Sequence, residues 1–336
     1  MKVSDEAILN MLNNNVGYKP GEEVVILTQD WSEDFGTDTK WRFDDTQECA
    51  RKMQDVFAAN GISSRYVAYT PIAKGSAINP PVEIAQAVGT PNIVFMVTAY
   101  SLSWTGFRKQ ITETGARIAS MPGFSLDMFS KHGPMDVEFD LIKAHTKRMF
   151  DQLKKASFVH VTGKGTDIKI QVNQQLVHAS SGDLNYEKAF GNLPGAETYC
   201  IPLYEGDSNG YFTVPKGWGG MKPLECEVTF HVKQGRFISA KAVDPARQTY
   251  VDMEVRPVVF GQKNFDVLAE LGIGTNPNVT PEYIKEHGWS TLLAEKIFGS
   301  AHFANGNSAG LGGENNVPMH QDWVVPDVEI KFLEED

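Results

Sequence analysis

Residues 21–28, GEEVVILT, decide the fold. The apolar run from Val24 to Leu27 is short and rich in β-branched residues, and it ends in a polar segment, residues 29–39. Such a run suits a strand buried on both faces, as in a parallel sheet covered by helices. Residues 43–61, FDDTQECARKMQDVFAANG, come next. Cys49, Met53, Val56 and Phe57 recur there at helical spacing, Asp44 or Asp45 is the expected cap, and Asn60-Gly61 is a stop signal. Residues 65–70, RYVAYT, read as the next strand. Strand, helix and strand in this order predict a parallel βαβ unit.

The same alternation continues. Pro81 opens a short helix, VEIAQAVG, and residues 93–97, IVFMV, form a third buried strand. Residues 103–115 are expected to be helical, with Trp104, Phe107 and Ile111 on one side. A fourth strand, RIASM at 117–121, stops at Pro122-Gly123. No GxGxxG follows the first strand and no GxxxxGK[ST] occurs anywhere, so no dinucleotide is assigned to this layer. Residues 137–156 carry the longest helical pattern, with His145 inside its apolar stripe as a core or partner-facing residue. The first domain is therefore expected over 1–156, an α/β domain with a mostly parallel sheet.

Beyond it the period changes to two. Residues 158–161 and 167–172 flank the turn Gly163-Lys164-Gly165-Thr166 and predict a hairpin with one wet face. Val228, Phe230 and Val232 alternate up to Gln234-Gly235, and Val328, Ile330 and Phe332 alternate near the end. Helical segments are expected at 265–271, at Thr280-Pro281 and from Ser290 through TLLAEKIFG. Residues 157–336 thus read as an α+β domain, and its polar residues make it the metal-binding one.

With 31 basic and 42 acidic residues the net charge is −11, which argues against nucleic acid or an anionic membrane as partner. Three cysteines without CxxC spacing signal neither a disulfide framework nor a cysteine zinc site. Residues 1–15, MKVSDEAILNMLNNN, have no apolar core followed by a cleavage site, and no apolar run reaches spanning length. A cytoplasmic location is expected.

The chemistry gathers in the second half. His320 and Asp322 are two residues apart, so an extended chain turns both to one face. A Gly/Asn-rich loop between them and His302 can fold back and bring His302 close. Glu197 follows the turn Pro194-Gly195, and by itself it reads as solvated rather than aimed at a cation. Glu270 ends an expected helix, where a carboxylate meets the wrong end of the helix dipole unless a cation is near. Two imidazoles and two or three carboxylates suit one or two divalent metals such as Zn, Mn, Co or Fe. Phe212, Tyr211 and Trp218, in NGYFTVPKGWGG, are either pocket-lining or ordinary packing residues.

Four of these segments carry a resemblance. NLPGAE around Glu197, AELGIGTNP around Glu270, G-x-x-H-x-A-x-G around His302 and HQD at 320–322 resemble the thermophilic-metalloprotease, or aminopeptidase T, family of leucyl aminopeptidases. TGKGTDIKIQV at 162–172 resembles it too. The resemblance implies a metallo-aminopeptidase-like hydrolase of small peptides or related amides, working as a homodimer. It also implies that Glu197, Glu270, His302, His320 and Asp322 bind two divalent metals per chain, Zn, Co or Mn. The general base is unassigned, with Glu205 and Glu314 the nearest acidic residues in sequence. Ala309 stands where the family places a tyrosine seven residues after the first histidine. The sequence also resembles the 2,5-dihydroxypyridine 5,6-dioxygenases, which share the fold. Their single Fe(II) is held by two histidines and an aspartate, at the positions of Glu270, His320 and Asp322. The alternative expectation is accordingly an Fe(II) ring-cleaving dioxygenase.

Overall fold

The computed structural model describes residues 3–220 and 222–334. Met1, Lys2, Met221, Glu335 and Asp336 lie outside them. The chain divides into two compact units, Met1–Leu141 with Gly182–Gly195, and Ile142–Ser181 with Ala196–Asp336. The sequence pattern put the boundary at 156/157. The exchange of residues 182–195 comes from a short strand that joins the first sheet, a pairing invisible to local periodicity.

In the first unit β1 (Val24–Gln29), β2 (Ser64–Tyr69), β3 (Ile93–Val97) and β4 (Arg117–Ser120) are parallel. Every residue of β1, β3 and β4 is buried, as the continuous apolar runs require. The helices α1 (Asp5–Asn10), α2 (Lys40–Ala59), α3 (Val82–Val88) and α4 (Gly106–Glu113) precede or connect the strands. Two local expectations shift. α2 starts at Lys40, so Asp44 and Asp45 lie inside it and neither caps it. α4 starts after Trp104, which is exposed, while Phe107 and Ile111 are buried as expected.

The helix α5 (Phe139–Lys155) precedes the second unit's sheet. That sheet is built from β5 (Phe158–Gly163) and β6 (Thr166–Ser180), then, beyond β7 (Phe190–Asn192) of the first sheet, β8 (Glu197–Pro202) and β9 (Asn209–Val214). β10 (Val228–Lys233), β11 (Arg236–Ala242), β12 (Leu268–Gly274), β13 (Ala301–Gly306), β14 (His320–Val325) and β15 (Glu329–Leu333) complete it. Among the described residues the first sheet has the order β2-β1-β3-β4-β7, and the second the order β11-β10-β9-β6-β8-β12-β13-β14, with β5 on β6 and β15 on β5. The hairpin β5–β6 and the alternating strands β10 and β15 fall where period-two patterning put them.

The main correction is at 265–271. No helix forms there. Leu268–Gly274 is a strand, buried at every residue, between β8 and β13. A short apolar run looks alike in a buried strand and a buried helix, and here two neighbouring strands decide it. The TLLAEKIFG pattern shrinks to one turn, Thr291–Ala294, capped by Ser290. Thr280 caps a short helix, Pro281–His287.

One face of this sheet is aromatic. Phe303 of β13 stacks on Phe212 of β9 with ring centroids 4.3 Å apart, and Trp323 of β14 meets Phe230 of β10 at 4.8 Å. Phe212 is thus a core residue. Trp218 packs edge-on against Trp289, and Tyr211 is exposed. Among the described residues no helix is long and apolar enough to cross a membrane.

Candidate metal centre

The pleat of β12, β13 and β14 sorts the side chains. Phe303 and Trp323 are directly paired and share the aromatic face, so His302 and Asp322, one residue away, and His320, three away, point to the other. Ala304 lies opposite Asp322 and Gly306 opposite His320, which leaves room for both side chains. On β12 the same face presents Glu270, Gly272 and Gly274, and Gly274 pairs with Glu197 of β8. Four adjacent strands therefore deliver Glu197, Glu270, His302, His320 and Asp322 to one surface. The contact between His302 and the 320–322 segment comes from strand pairing, whatever the intervening loop does.

The distances are short. His302 Nε2 lies 3.2 Å from Glu270 Oε1 and 3.8 Å from Glu197 Oε2. His320 Nε2 lies 3.5 Å from Glu270 Oε2 and 3.4 Å from Asp322 Oδ1. Donor atoms of Glu270, His302 and Asp322 all fall within 4.8 Å of one another. Ligands bound to one ion at about 2.0–2.2 Å stand roughly 3.0–3.5 Å apart, and the three spacings from 3.2 to 3.5 Å match a shared ion. His320 Nδ1 donates to the Asn307 carbonyl at 2.7 Å, which turns Nε2 towards the carboxylates. His302 is held otherwise. Its Nδ1 is buried without a hydrogen-bond partner. Its ring lies over Gly272, where any Cβ would overlap it.

The charges explain the titration. Burial by itself lowers His302, but the hydrogen bond and charge of Glu270, with Asp322 and Glu295, outweigh it and push the imidazole up to about 9. His320 shows the same balance, with Asp322 foremost among the opposing charges, and reaches about 10. Burial raises Asp322, yet the His320 charge and hydrogen bond hold its carboxyl well below the usual range. The surrounding carboxylates thus favour the protonated form of both imidazoles.

Two of the sequence-based arguments need correction. Glu270 sits in mid-strand, so there is no helix dipole for it to oppose. Glu197 is buried, and its Oε1 meets Lys296 Nζ at 2.6 Å. Of the suggested bases, Glu205 is exposed and pairs with Arg236, and Glu314 is exposed. Sequence reasoning missed Glu295 and Lys296. Lys296 is fully buried and lies 3.4 Å from Glu295 Oε2. Burial and the nearby Asp322 charge push Glu295 up to about 8. The available signal was a charged pair inside the apolar run LLAEKIFG, directly before the strand that carries His302.

Gly274 lets this segment approach, because a Cβ there would collide with the Ile297 carbonyl. The Asn276 amide donates to the Lys296 carbonyl at 3.0 Å and fixes the lysine's backbone. Ala309, in the short helical turn Ala309–Leu311, brings no phenol to the site.

No family model matches the sequence. No curated protein matches it either. Among solved structures, 2,5-dihydroxypyridine dioxygenase from Pseudomonas putida KT2440 is similar over 98% of this chain and 95% of its own, with a TM-score of 0.74 and 14% identity. Wild-type AmpT from Thermus thermophilus is similar over 98% of this chain and 94% of its own, with a TM-score of 0.60 and 12% identity. At these identities the likeness shows a shared fold, an α/β unit followed by a unit with a large antiparallel sheet.

Proposed function

We propose that the chain is a metal-dependent hydrolase of the aminopeptidase kind, acting on a small peptide or a related amide. The observation that carries this is the convergence of Glu270, His302, His320 and Asp322, with donors 3.2–3.5 Å apart, beside the largely buried carboxyl of Glu295. Glu270, His302, His320 and Asp322 would hold a divalent metal, which supplies a Lewis acid and lowers the pKa of water. The protein's own part is proton handling and orientation. Glu295 accepts a proton at its carboxylate from the attacking water and returns it to the leaving amine. Asn307 holds the His320 ring through its carbonyl. A homodimer is the working form under this reading, following the aminopeptidase T resemblance. The test is aminoacyl-p-nitroanilide turnover after loading with Mn, Co or Zn. Absence of turnover with every metal removes the peptidase reading.

A second reading is an Fe(II) ring-cleaving dioxygenase. His302, His320 and Asp322 form a two-histidine, one-carboxylate face, the ligand type used by non-haem iron oxygenases. The likeness to the Pseudomonas putida dioxygenase lends support. Oxygen uptake with Fe(II) and 2,5-dihydroxypyridine separates it from hydrolysis.

A further inference from the structure

We propose that Lys296 is a built-in counter-cation that occupies Glu197 and limits the centre to one metal ion per chain. The inference rests on the metal centre proposed above, and it departs from the two-metal expectation raised by sequence resemblance.

Glu197 borders the centre, with Oε2 3.8 Å from His302 Nε2. Its other oxygen lies 2.6 Å from the Lys296 ammonium, whose side chain has no exposed surface. The same ammonium lies 3.4 Å from Glu295 Oε2, so it stands between two carboxylates. A buried ammonium needs such partners, and its removal would leave Glu197 uncompensated.

Glu197 and Lys296 form a neutral pair. A second dication ligated by Glu197 would have to sit against the buried ammonium or displace it. Displacement is opposed by the backbone. The Lys296 carbonyl accepts from Asn276, its amide donates to the Leu293 carbonyl at 2.9 Å, and Gly274 packs beneath the segment. Lys296 is thus a positioning residue acting through Glu197.

The experiment counts metal in the full chain after equilibrium dialysis against excess Mn(II), by elemental analysis, with electron paramagnetic resonance of the loaded protein. The wild type is expected to hold one Mn(II) per chain and to show the spectrum of an isolated ion. Lys296→Met frees Glu197 and is expected to raise the count towards two, with a spin-coupled spectrum. Lys296→Arg keeps the charge and stays at one. The double variant Glu197→Gln/Lys296→Met removes both partners, leaves no unpaired charge and also stays at one. It keeps the test decisive if Lys296→Met does not fold, because loss of the remaining ion from it would make Glu197 a ligand and overturn the proposal. Two coupled ions in the wild type overturn it while leaving the metal centre standing. A folded Lys296→Met that stays at one ion overturns it in the same way. No bound metal in the wild type overturns the centre itself.

Discussion

The imidazole of His302 lies directly over the Cα of Gly272, its partner across the β12–β13 pair, in space that a Cβ at Gly272 would fill. With Nδ1 unbonded, that contact and the hydrogen bond to Glu270 set the ring's position. Gly272→Ala should push the imidazole off the site. Metal affinity is expected to fall about 10- to 100-fold, the range seen when a ligand's orientation is lost. Competition with a chromophoric chelator measures it. Unchanged affinity would show that the ring is not a ligand.

His320 and Asp322 meet at 3.4 Å on one face of β14. His320→Ala and Asp322→Ala should each strip bound metal from a chain that still folds, as seen by elemental analysis beside circular dichroism. Full metal content in both variants would leave a small-molecule-binding protein on a metalloenzyme scaffold as the better description.

The raised imidazoles set the pH behaviour of the metal-free protein. A histidine whose folded pKa exceeds its unfolded value, near 6.5, contributes stability that is complete below that value and fades as pH rises through the folded pKa. For His302 and His320 those folded values are about 9 and about 10. Thermal melts in chelator should therefore fall in Tm between pH about 6.5 and about 10. Metal must displace the same protons, so affinity should rise over this window, with proton release detectable by calorimetry in buffers of different ionisation enthalpy. A flat affinity profile would contradict the assignment.

Burial and the Asp322 charge push Glu295 up to about 8 against the opposing pull of Lys296. As the general base it works deprotonated, so hydrolysis should climb as pH rises through that value. Glu295→Gln should lower kcat about 10²- to 10⁴-fold, keep the metal and lose that limb of the profile. Full activity in the variant assigns the proton transfer elsewhere.

The aromatic face supports the strands from behind. Phe303 is fully buried and stacks on Phe212 at 4.3 Å. Phe303→Ala should cost about 3–5 kcal/mol in denaturant unfolding, as large-to-small core substitutions do. Because His302 is its neighbour on β13, metal affinity should weaken in the same variant. A loss under about 1 kcal/mol would mean the site collapses around the cavity.

Periodicity alone determined a good deal. Continuous apolar runs such as Val24–Leu27, alternating with helical patterns, point to strands of a covered parallel sheet, and alternation at Val228–Val232 marks a half-wet antiparallel strand. The pair His320-x-Asp322 needed only an extended backbone to share a face, and β14 provides it. Tertiary structure decided the rest. Whether Phe265–Leu271 became strand or helix depended on β8 and β13, whose hydrogen bonds lie far away in sequence. Only that pairing sets Glu270 beside both histidines. Only the crossing of Gly274 by the 296–297 backbone carries Lys296 to Glu197. A single sequence shows which residues repeat at what spacing. It does not show which distant charge will neutralise a buried carboxylate, because that depends on packing between segments.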